Sequence, residues 1–474
     1  MSVVSNISKA EATKPNKLYV PHVIGGRFVE DYSVEYSGSA TSAPFTTPKL
    51  DFEGLVPPRS ALPPAYNLPL SEIVEFLIET GKRLSLDNNR WLRDAVEATI
   101  YANPLDRRVI ENIYRGVTFF FQRETLEFEV EHALGGKNTV DGWNDVVDVT
   151  GRTVRVRAFP SRIVHILAGN SPGVCASTIA RGALSKGIHL LKLPSNDLFT
   201  ASAILRTMAE IDPRHPVLRS FSAVYWRGGD TSVENIIYRP QYFNKVVVWG
   251  GEAAVKNVVK YLGPGLEMIA FDPKVSISLI GKEAHESDGT LRSVASLAAE
   301  DVQLLDQEAC SASRFQFVEG TEEQVDRYCE FLCQEIHKDR MYGSAKASVR
   351  PPTEVVEEIA ALRTFEPMYK AWGDTNGGGL VLRSPEPVTF HPIGKVVNVI
   401  RVENIKDAIS FASPATQTVG VWPPERKSEV RDHLCAAGVQ RVVRLSEGDK
   451  MFPGLPHDGF IPLHRFVTWV SDEG

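Results

Sequence analysis

The sequence predicts an α/β protein built on parallel sheets, in two successive units with a small β-arm. Three observations predict it. Across residues 162–262, short apolar, β-branched runs alternate with helical runs, and the alternation resumes across 272–423. Between Val147 and Phe159, polar and apolar residues alternate about Gly151, the pattern of a hairpin whose exposed face carries arginines.

The elements follow in order. Residues 70–84, 88–100 and 104–121 have helical periodicity and form an N-terminal helical region, preceded by a Ser-, Thr- and Pro-rich stretch, 37–67, that reads as extended chain. In the first unit the spacing predicts strands at 162–167, 189–192, 222–226 and 245–249, with helices at 174–185, 198–210 and 253–262. In the second it predicts strands at 275–280, 314–318, 396–402 and 416–421, with helices at 290–305, 322–338 and 405–411. Residues 425–437 and 441–445 add a helix and a strand, and 463–470 a final strand.

Composition narrows the class. The chain has 474 residues, 43% hydrophobic and 23% charged, enough for two or three globular domains. A net charge of −7 leaves no basic footprint for nucleic acid. The N-terminal stretch is polar and does not read as a signal peptide, and no apolar run approaches a membrane span. Five widely spaced cysteines suit reduced thiols in the cytoplasm rather than a disulfide framework. Cys329 and Cys333 have only His337 nearby, too few ligands for a metal site.

Four segments carry chemistry. Cys310 lies among small residues between a helical run and a strand, where a thiolate attacks a carbonyl or a thiol simply sits idle. Asn170 follows a strand and opens a helix, as an oxyanion donor or as a turn and capping residue. Lys192 ends a strand, the place for a ribose or phosphate contact. Gly250-Gly251 joins a buried strand to a helix and lets backbone N–H groups approach a pyrophosphate, although no GxGxxG is present and Glu252 equally fits a structural cap.

Taken in order, Ala168-Gly169-Asn170-Ser171-Pro172, Leu191-Lys192-Leu193-Pro194-Ser195, Val248-Trp249-Gly250-Gly251-Glu252, Phe271-Asp272-Pro273-Lys274, the stretch 306–314 and Phe390-His391-Pro392-Ile393-Gly394-Lys395 resemble the aldehyde dehydrogenase superfamily, and within it the LuxC-type acyl-CoA (fatty acid) reductases. The likeness runs from about Pro21 to the C-terminus. It implies an aldehyde-dehydrogenase-like α/β fold: a Rossmann-like cofactor domain, an α/β catalytic domain and a β-arm for oligomerisation. The expected division is an N-terminal extended arm at 1–67, a cofactor-binding domain at 68–264 with 424–460, interrupted by the oligomerisation hairpin 146–160, a catalytic domain at 265–423, and an oligomerisation strand at 461–474.

The resemblance also implies roles. Cys310 is the nucleophile, Asn170 and the Cys310 backbone N–H form the oxyanion hole, and Lys192 with Gly250 and Gly251 faces the cofactor. Two departures from the oxidising enzymes matter. Their water-activating glutamate, four residues before the lysine matching Lys274, is Ala270 here, with Glu267 and Glu308 as nearby substitutes. Their ribose-binding glutamate, three residues after Lys192, is Ser195, which favours NADPH because a serine accepts a 2′-phosphate and a carboxylate repels it. Val388 replaces a second ribose-binding glutamate. The implied activity is NADPH-dependent reduction of a fatty acyl thioester to the aldehyde through an acyl-cysteine. The acyl donor is a fatty acyl-CoA or an acylated partner protein of the acyl-protein synthetase or transferase type, and the enzyme is a homo-oligomer. The alternatives are an NAD(P)-dependent aldehyde dehydrogenase, told apart by whether acid or thioester is made, and a catalytically silent subunit. The joint presence of Cys310, Asn170 and Lys192 argues against silence.

Overall fold

The computed structural model describes residues 17–38 and 43–473. Two seven-stranded sheets organise it. The first has the spatial order Glu267–Phe271, Lys245–Trp249, Arg162–Ile166, Ile188–Lys192, Phe221–Val224, His22–Ile24 and Arg27–Val29. Its first five strands are parallel, and the last two add antiparallel. Parallel strands need crossover helices, which bury both faces. Ile163, Leu191 and Val247 pack against helices Pro172–Leu184 and Thr200–Ile211 and the N-terminal helical region. Val164, Val246 and Val248, on the opposite face, pack against Thr231–Ile237 and Glu252–Val259.

The second sheet runs Lys370–Asp374, Gly379–Ser384, Val396–Val402, Ser313–Glu319, Val275–Ile280, Thr416–Trp422 and Arg441–Arg444, parallel except for the first hairpin. Helices Asp288–Val302 and Glu322–Ile336 cover one face, and Lys427–Ala436 with the short 3₁₀ helix Ile405–Phe411 covers the other. The arm is a third sheet: hairpin Asn144–Val147 and Thr153–Pro160 pairs with the terminal strand Val467–Asp472. No helix among the described residues is long and apolar enough to cross a membrane.

Most predicted elements form within a residue or two of their expected bounds, and Lys245–Trp249, Val275–Ile280 and Val396–Val402 match them. Several boundaries differ. Residues 1–67 are not one extended arm: His22–Ile24 and Arg27–Val29 extend the first sheet, where Val23 pairs with Ala223. Residues 1–16 and 39–42 of that stretch lie outside the described residues. Glu267–Phe271, expected on the catalytic side of a boundary at 264, completes the first sheet beside Lys245–Trp249. Arg441–Arg444, expected with the cofactor domain, is the edge of the second sheet. The buried Asp301 carboxylate holds it there by accepting from the backbone N–H groups of Ser446 and Gly448, at 2.9 and 3.1 Å. In 461–474 the strand begins only at Val467, after the short helix Pro462–Phe466.

Helix Arg123–Leu134 went unread because Leu126, Phe128 and Val130 alternate with glutamates, the period of a strand. Burial of Leu126, Val130, Ala133 and Leu134 makes it helical, and its buried Glu129 pairs with buried Arg181. Two buried histidines tie neighbouring strands of the first sheet. His165 Nε2 lies 2.9 Å from His189 Nδ1, and the His165 ring rests against Phe466.

Desolvation holds these rings neutral. Burial lowers His165 well below the usual value, His189 to about 3 and, on the strand next to the edge, His22 to about 4. The unfolded chain binds protons on each below about pH 6.5 while the folded chain does not, so stability is full above that pH and drains below it, by up to ~1.4 kcal/mol per pH unit per histidine. The thermal unfolding midpoint is therefore expected to fall between pH 7 and pH 5. A midpoint flat across that window would show that these rings are not held neutral.

Candidate active site

Helix Asp288–Val302 leads into a tight turn before strand Ser313–Glu319, and Cys310 lies between. Leu305, Asp306 and Gln307 have φ of 51°, 51° and 74°, left-handed backbone that L-residues adopt only under constraint. The constraints are visible. The Asp306 carboxylate accepts from the Ser344 N–H and hydroxyl, both at 2.7 Å. Buried Lys395 Nζ donates to the carbonyls of Ser344 and Ala345, at 2.8 and 3.1 Å. Gln307 Nε2 donates to Val396 O at 2.7 Å, and the Arg314 guanidinium donates to the carbonyls of Gln307 and Pro392. The Phe390–Lys395 motif is thus a buttress of the cysteine loop. Its Gly394 has φ +71°, and a Cβ there would come within 2.7 Å of Pro351.

Cys310 is solvent-accessible, yet protein atoms surround it densely. That desolvation pushes the thiol upward. The Gln417 side chain opposes it, Asp458 adds like charge, and nearby backbone N–H groups favour the thiolate. Cys175, by contrast, is enclosed, and burial pushes it well above its usual value.

Asn170 belongs to the same arrangement. The N-cap of helix Pro172–Leu184 is Ser171, not Asn170. Asn170 Nδ2 instead donates across to Glu308 O at 3.2 Å, two residues before Cys310. The turn is fixed from behind, where Asn103 Nδ2 donates to Gly169 O at 3.1 Å. A Cβ on Gly169 would lie 1.7 Å from Asn196 Oδ1, so the turn packs on the segment after Lys192.

The cofactor-side residues share one edge of the first sheet. Lys192 and Val224 end adjacent parallel strands, and Trp249 ends the strand on the far side of Arg162–Ile166. The Lys192 ammonium lies 5.7 and 5.5 Å from the Tyr225 and Trp226 ring centroids, and burial lowers it to about 8 against the pull of Glu234. Glu234 is already occupied, accepting from the Trp226 indole, the Gly229 N–H and the Asn257 amide. Ser195 and Gly251 are exposed and Gly250 half-exposed. Glu252 opens the helix after the N-cap Gly251, makes no cap bond and pairs one turn on with Lys256 at 2.6 Å on the surface. Arg227, not singled out from sequence, is exposed three residues beyond strand Phe221–Val224 on this same edge. A lone arginine after a strand carries no sequence signal by itself.

Beside the cysteine loop lies a cavity of about 640 Å³, lined among others by Phe120, Val174, Trp249, Ser311, Gln417 and His457. Trp249 and Phe271 stack with centroids 3.4 Å apart, and the His457 ring meets both edge-on at 5.3 and 5.0 Å. Burial lowers His457 to about 3, so the ring is neutral.

The two substitutes for the glutamate replaced by Ala270 differ. Glu267 begins the strand that carries Ala270, roughly 10 Å earlier along it. Burial pushes its carboxyl upward but is outweighed by Lys245, at 2.7 Å, and Arg465, at 2.9 Å, so it is an occupied carboxylate at the wrong end of the strand. Glu308 lies in the cysteine loop, raised by burial and drawn down by Arg314.

Residues 65–469 match the family model described as acyl-CoA reductase (LuxC). The chain is 32% identical over 420 residues to a long-chain acyl-protein thioester reductase of Photorhabdus luminescens, covering 86% of this chain and 82% of the relative. It is 26% identical over 414 residues to that of Vibrio harveyi, covering 86% and 83%. Among solved structures, an NADP-dependent glyceraldehyde-3-phosphate dehydrogenase from Bacillus halodurans complexed with NADP superposes with TM-score 0.71 at 14% identity, covering 96% of this chain and 99% of that one. Lactaldehyde dehydrogenase from Escherichia coli gives 0.70 at 13%, covering 96% and 98%. The fold is that of the aldehyde dehydrogenases.

The buttress of the cysteine loop yields a stability prediction. Asp306→Ala leaves the buried Ser344 N–H and hydroxyl without their acceptor, a loss of about 1–3 kcal/mol. Urea unfolding of the variant is expected to show that decrease, and unchanged stability would mean that the turn holds without Asp306.

Proposed function

Since this chain belongs to the acyl-CoA reductase (LuxC) family, we propose that it reduces a long-chain fatty acyl thioester to the aldehyde through an acyl-thioester on Cys310. One observation carries the reading. Cys310 lies in a braced loop whose Ser311 lines a half-open cleft, with the Asn170 amide hydrogen-bonded to that same loop. The named relatives are acyl-protein thioester reductases, so an acylated partner protein is the proposed donor, with acyl-CoA as its small-molecule counterpart.

The Cys310 thiolate attacks the thioester carbonyl, and an S–C bond forms as the carrier's S–C bond breaks. The carrier leaves as a thiolate and takes up the proton that Cys310 released. Asn170 and a backbone N–H hold the carbonyl oxygen as it gains charge. Bound NADPH supplies the hydride. Collapse of the resulting hemithioacetal oxyanion releases the aldehyde and regenerates the Cys310 thiolate. Net, thioester, NADPH and a proton give aldehyde, carrier thiol and NADP⁺.

The residues present fit such a cofactor. Lys192 is a desolvated cation at a strand end, for ribose or phosphate, and Gly250-Gly251 leaves room for a pyrophosphate. Exposed Ser195 and Arg227 supply a hydroxyl and a cation suited to a 2′-phosphate. The arm exposes Val146, Val147, Val149 and Trp469, which supports an oligomer formed through it.

Two outcomes are expected. With acyl-CoA and no NADPH, Cys310 should carry an acyl group that persists for minutes, read by mass spectrometry, because Ala270 cannot deprotonate water and Glu267 is occupied. Cys310→Ser should carry none. Prompt release of free fatty acid by the unaltered enzyme would assign the base's role to Glu308 and favour aldehyde oxidation.

NADPH should outcompete NADH, and Ser195→Glu should erode that preference roughly tenfold, the effect of about 1.4 kcal/mol of like-charge repulsion. Equal binding of both cofactors by the unaltered protein, measured by fluorescence titration, would remove the role given to Ser195.

A further inference from the structure

The far wall of the cleft holds a group that neither the sequence motifs nor the proposed reaction uses. Strand Thr416–Trp422 carries a bulge beside strand Val275–Ile280: Val275 pairs with Thr416, but Ile277 pairs with Val419, so the Thr416–Trp422 strand holds one residue more than its partner. Bulges re-aim side chains and gather at functional sites. Here the bulge contains Gln417. Ser276 Oγ donates to Cys310 O at 2.9 Å and accepts from the Thr418 N–H at 3.3 Å, which pins the bulge beside the cysteine backbone. The Gln417 residue is buried, and its side chain lines the cavity.

Gln417 Nε2 donates one hydrogen to Asp458 Oδ1 at 2.8 Å, and its Oε1 is buried without a partner. A primary amide has two N–H donors, and one is spent. Asp458 is held with φ +50°, left-handed backbone for a non-glycine residue, next to Gly459 at +85°. Its side chain is almost wholly buried, 3.8 Å from the neutral His457 ring. A bulge, a backbone outlier and an under-used buried amide meet beside Cys310, an expensive arrangement for a merely structural contact.

We propose that Gln417 is a catalytic residue that presents its second amide hydrogen to the Cys310 sulfur, and that Asp458 is the positioning residue that fixes the amide in that orientation. The inference rests on Cys310 being the nucleophile. The pair accounts for a conflict in the cleft. Desolvation raises the Cys310 thiol, and the Gln417 contact is the largest influence opposing it. Asp458 sets the amide but also places a carboxylate near the sulfur, so its two effects on the thiolate have opposite sign. The other charged groups near the sulfur are Arg314 and Arg441, and those near Asp458 are Lys274 and Asp272.

The test is the pH dependence of Cys310 alkylation by iodoacetamide, read on the Cys310 peptide by mass spectrometry so that exposed Cys435 does not contribute. Gln417→Met keeps the shape and removes the donor. It is expected to raise the alkylation midpoint by about one pH unit, with about tenfold slower labelling near neutrality. Asp458→Asn keeps an acceptor for Gln417 Nε2 and removes the charge, and it is expected to lower the midpoint. Opposite shifts support the pair. Unchanged midpoints, or shifts in one direction, overturn it. If Gln417→Met does not fold, Asp458→Asn decides alone: a lowered midpoint supports the pair, and an unchanged or raised one overturns it. Acyl labelling of Cys310→Ser is the separate control. Label persisting there defeats the nucleophile assignment, whatever the alkylation profiles show.

Discussion

The left-handed turn Leu305-Asp306-Gln307 is the constraint on which the rest of the site depends. A reactive cysteine must stand clear of the sheet and still be held to a fraction of an ångström. A flexible loop gives the first and forfeits the second. Here a strained turn is anchored by Ser344 and the Val396 carbonyl from distant parts of the chain, with Lys395 holding Ser344 in turn, and by Arg314 seven residues on. Strained non-glycine backbone of this kind costs of order 1–3 kcal/mol per residue and persists only where its surroundings over-determine it. The satisfied Asp306 carboxylate and Gln307 amide are what over-determine it, since releasing the turn would take the carboxylate from Ser344 and the amide from Val396 O.

Low polarity is the second organising fact. The same desolvation lowers Lys192 and His457 and raises the thiol of Cys310. In such a site a single oriented N–H or carboxylate acts far more strongly than it would in water. Neutral His457 therefore contributes an aromatic edge against Trp249 and Phe271 rather than a charge. Cys310 receives its electrostatic support from neutral donors and from more distant arginines, not from an adjacent imidazolium.

Much of the fold was legible because parallel strands buried on both faces read as unbroken apolar runs, as Lys245–Trp249 and Val396–Val402 do. What was not legible depended on partners distant in sequence. Arg441–Arg444 joins the second sheet, and Asp301, 140 residues before Arg441, anchors the loop that follows it. The alternation in 123–134 mimics a strand until Arg181 and the first sheet bury one side of it. At the site, ordered motifs singled out Cys310, Asn170 and Lys192. Gln417, Asp458 and Arg227 stand in stretches with no short-range signature. Their placement comes from a bulge, a left-handed residue and a strand end, which only the assembled chain reveals.

The fate of an acyl-cysteine is a competition between hydride and water, and the wall of the cavity bears on it as directly as the nucleophile does. Strands Lys245–Trp249 and Glu267–Phe271 run parallel in register, so Trp249 and Phe271 end side by side and stack at the rim of the cleft. Ala270 immediately precedes that stack. Paired with Val248, residue 270 points to the opposite face of the sheet from the stack, and a glutamate there would bring an anion, with its bound water, behind the aromatic wall. Alanine brings neither, and His457 and Phe460 extend the apolar surface against Phe271. Water then finds no base at position 270 to deprotonate it and no polar group among the stacked rings to hold it. On the proposed reading hydride transfer would need neither, and the balance between reduction and hydrolysis would follow from that difference.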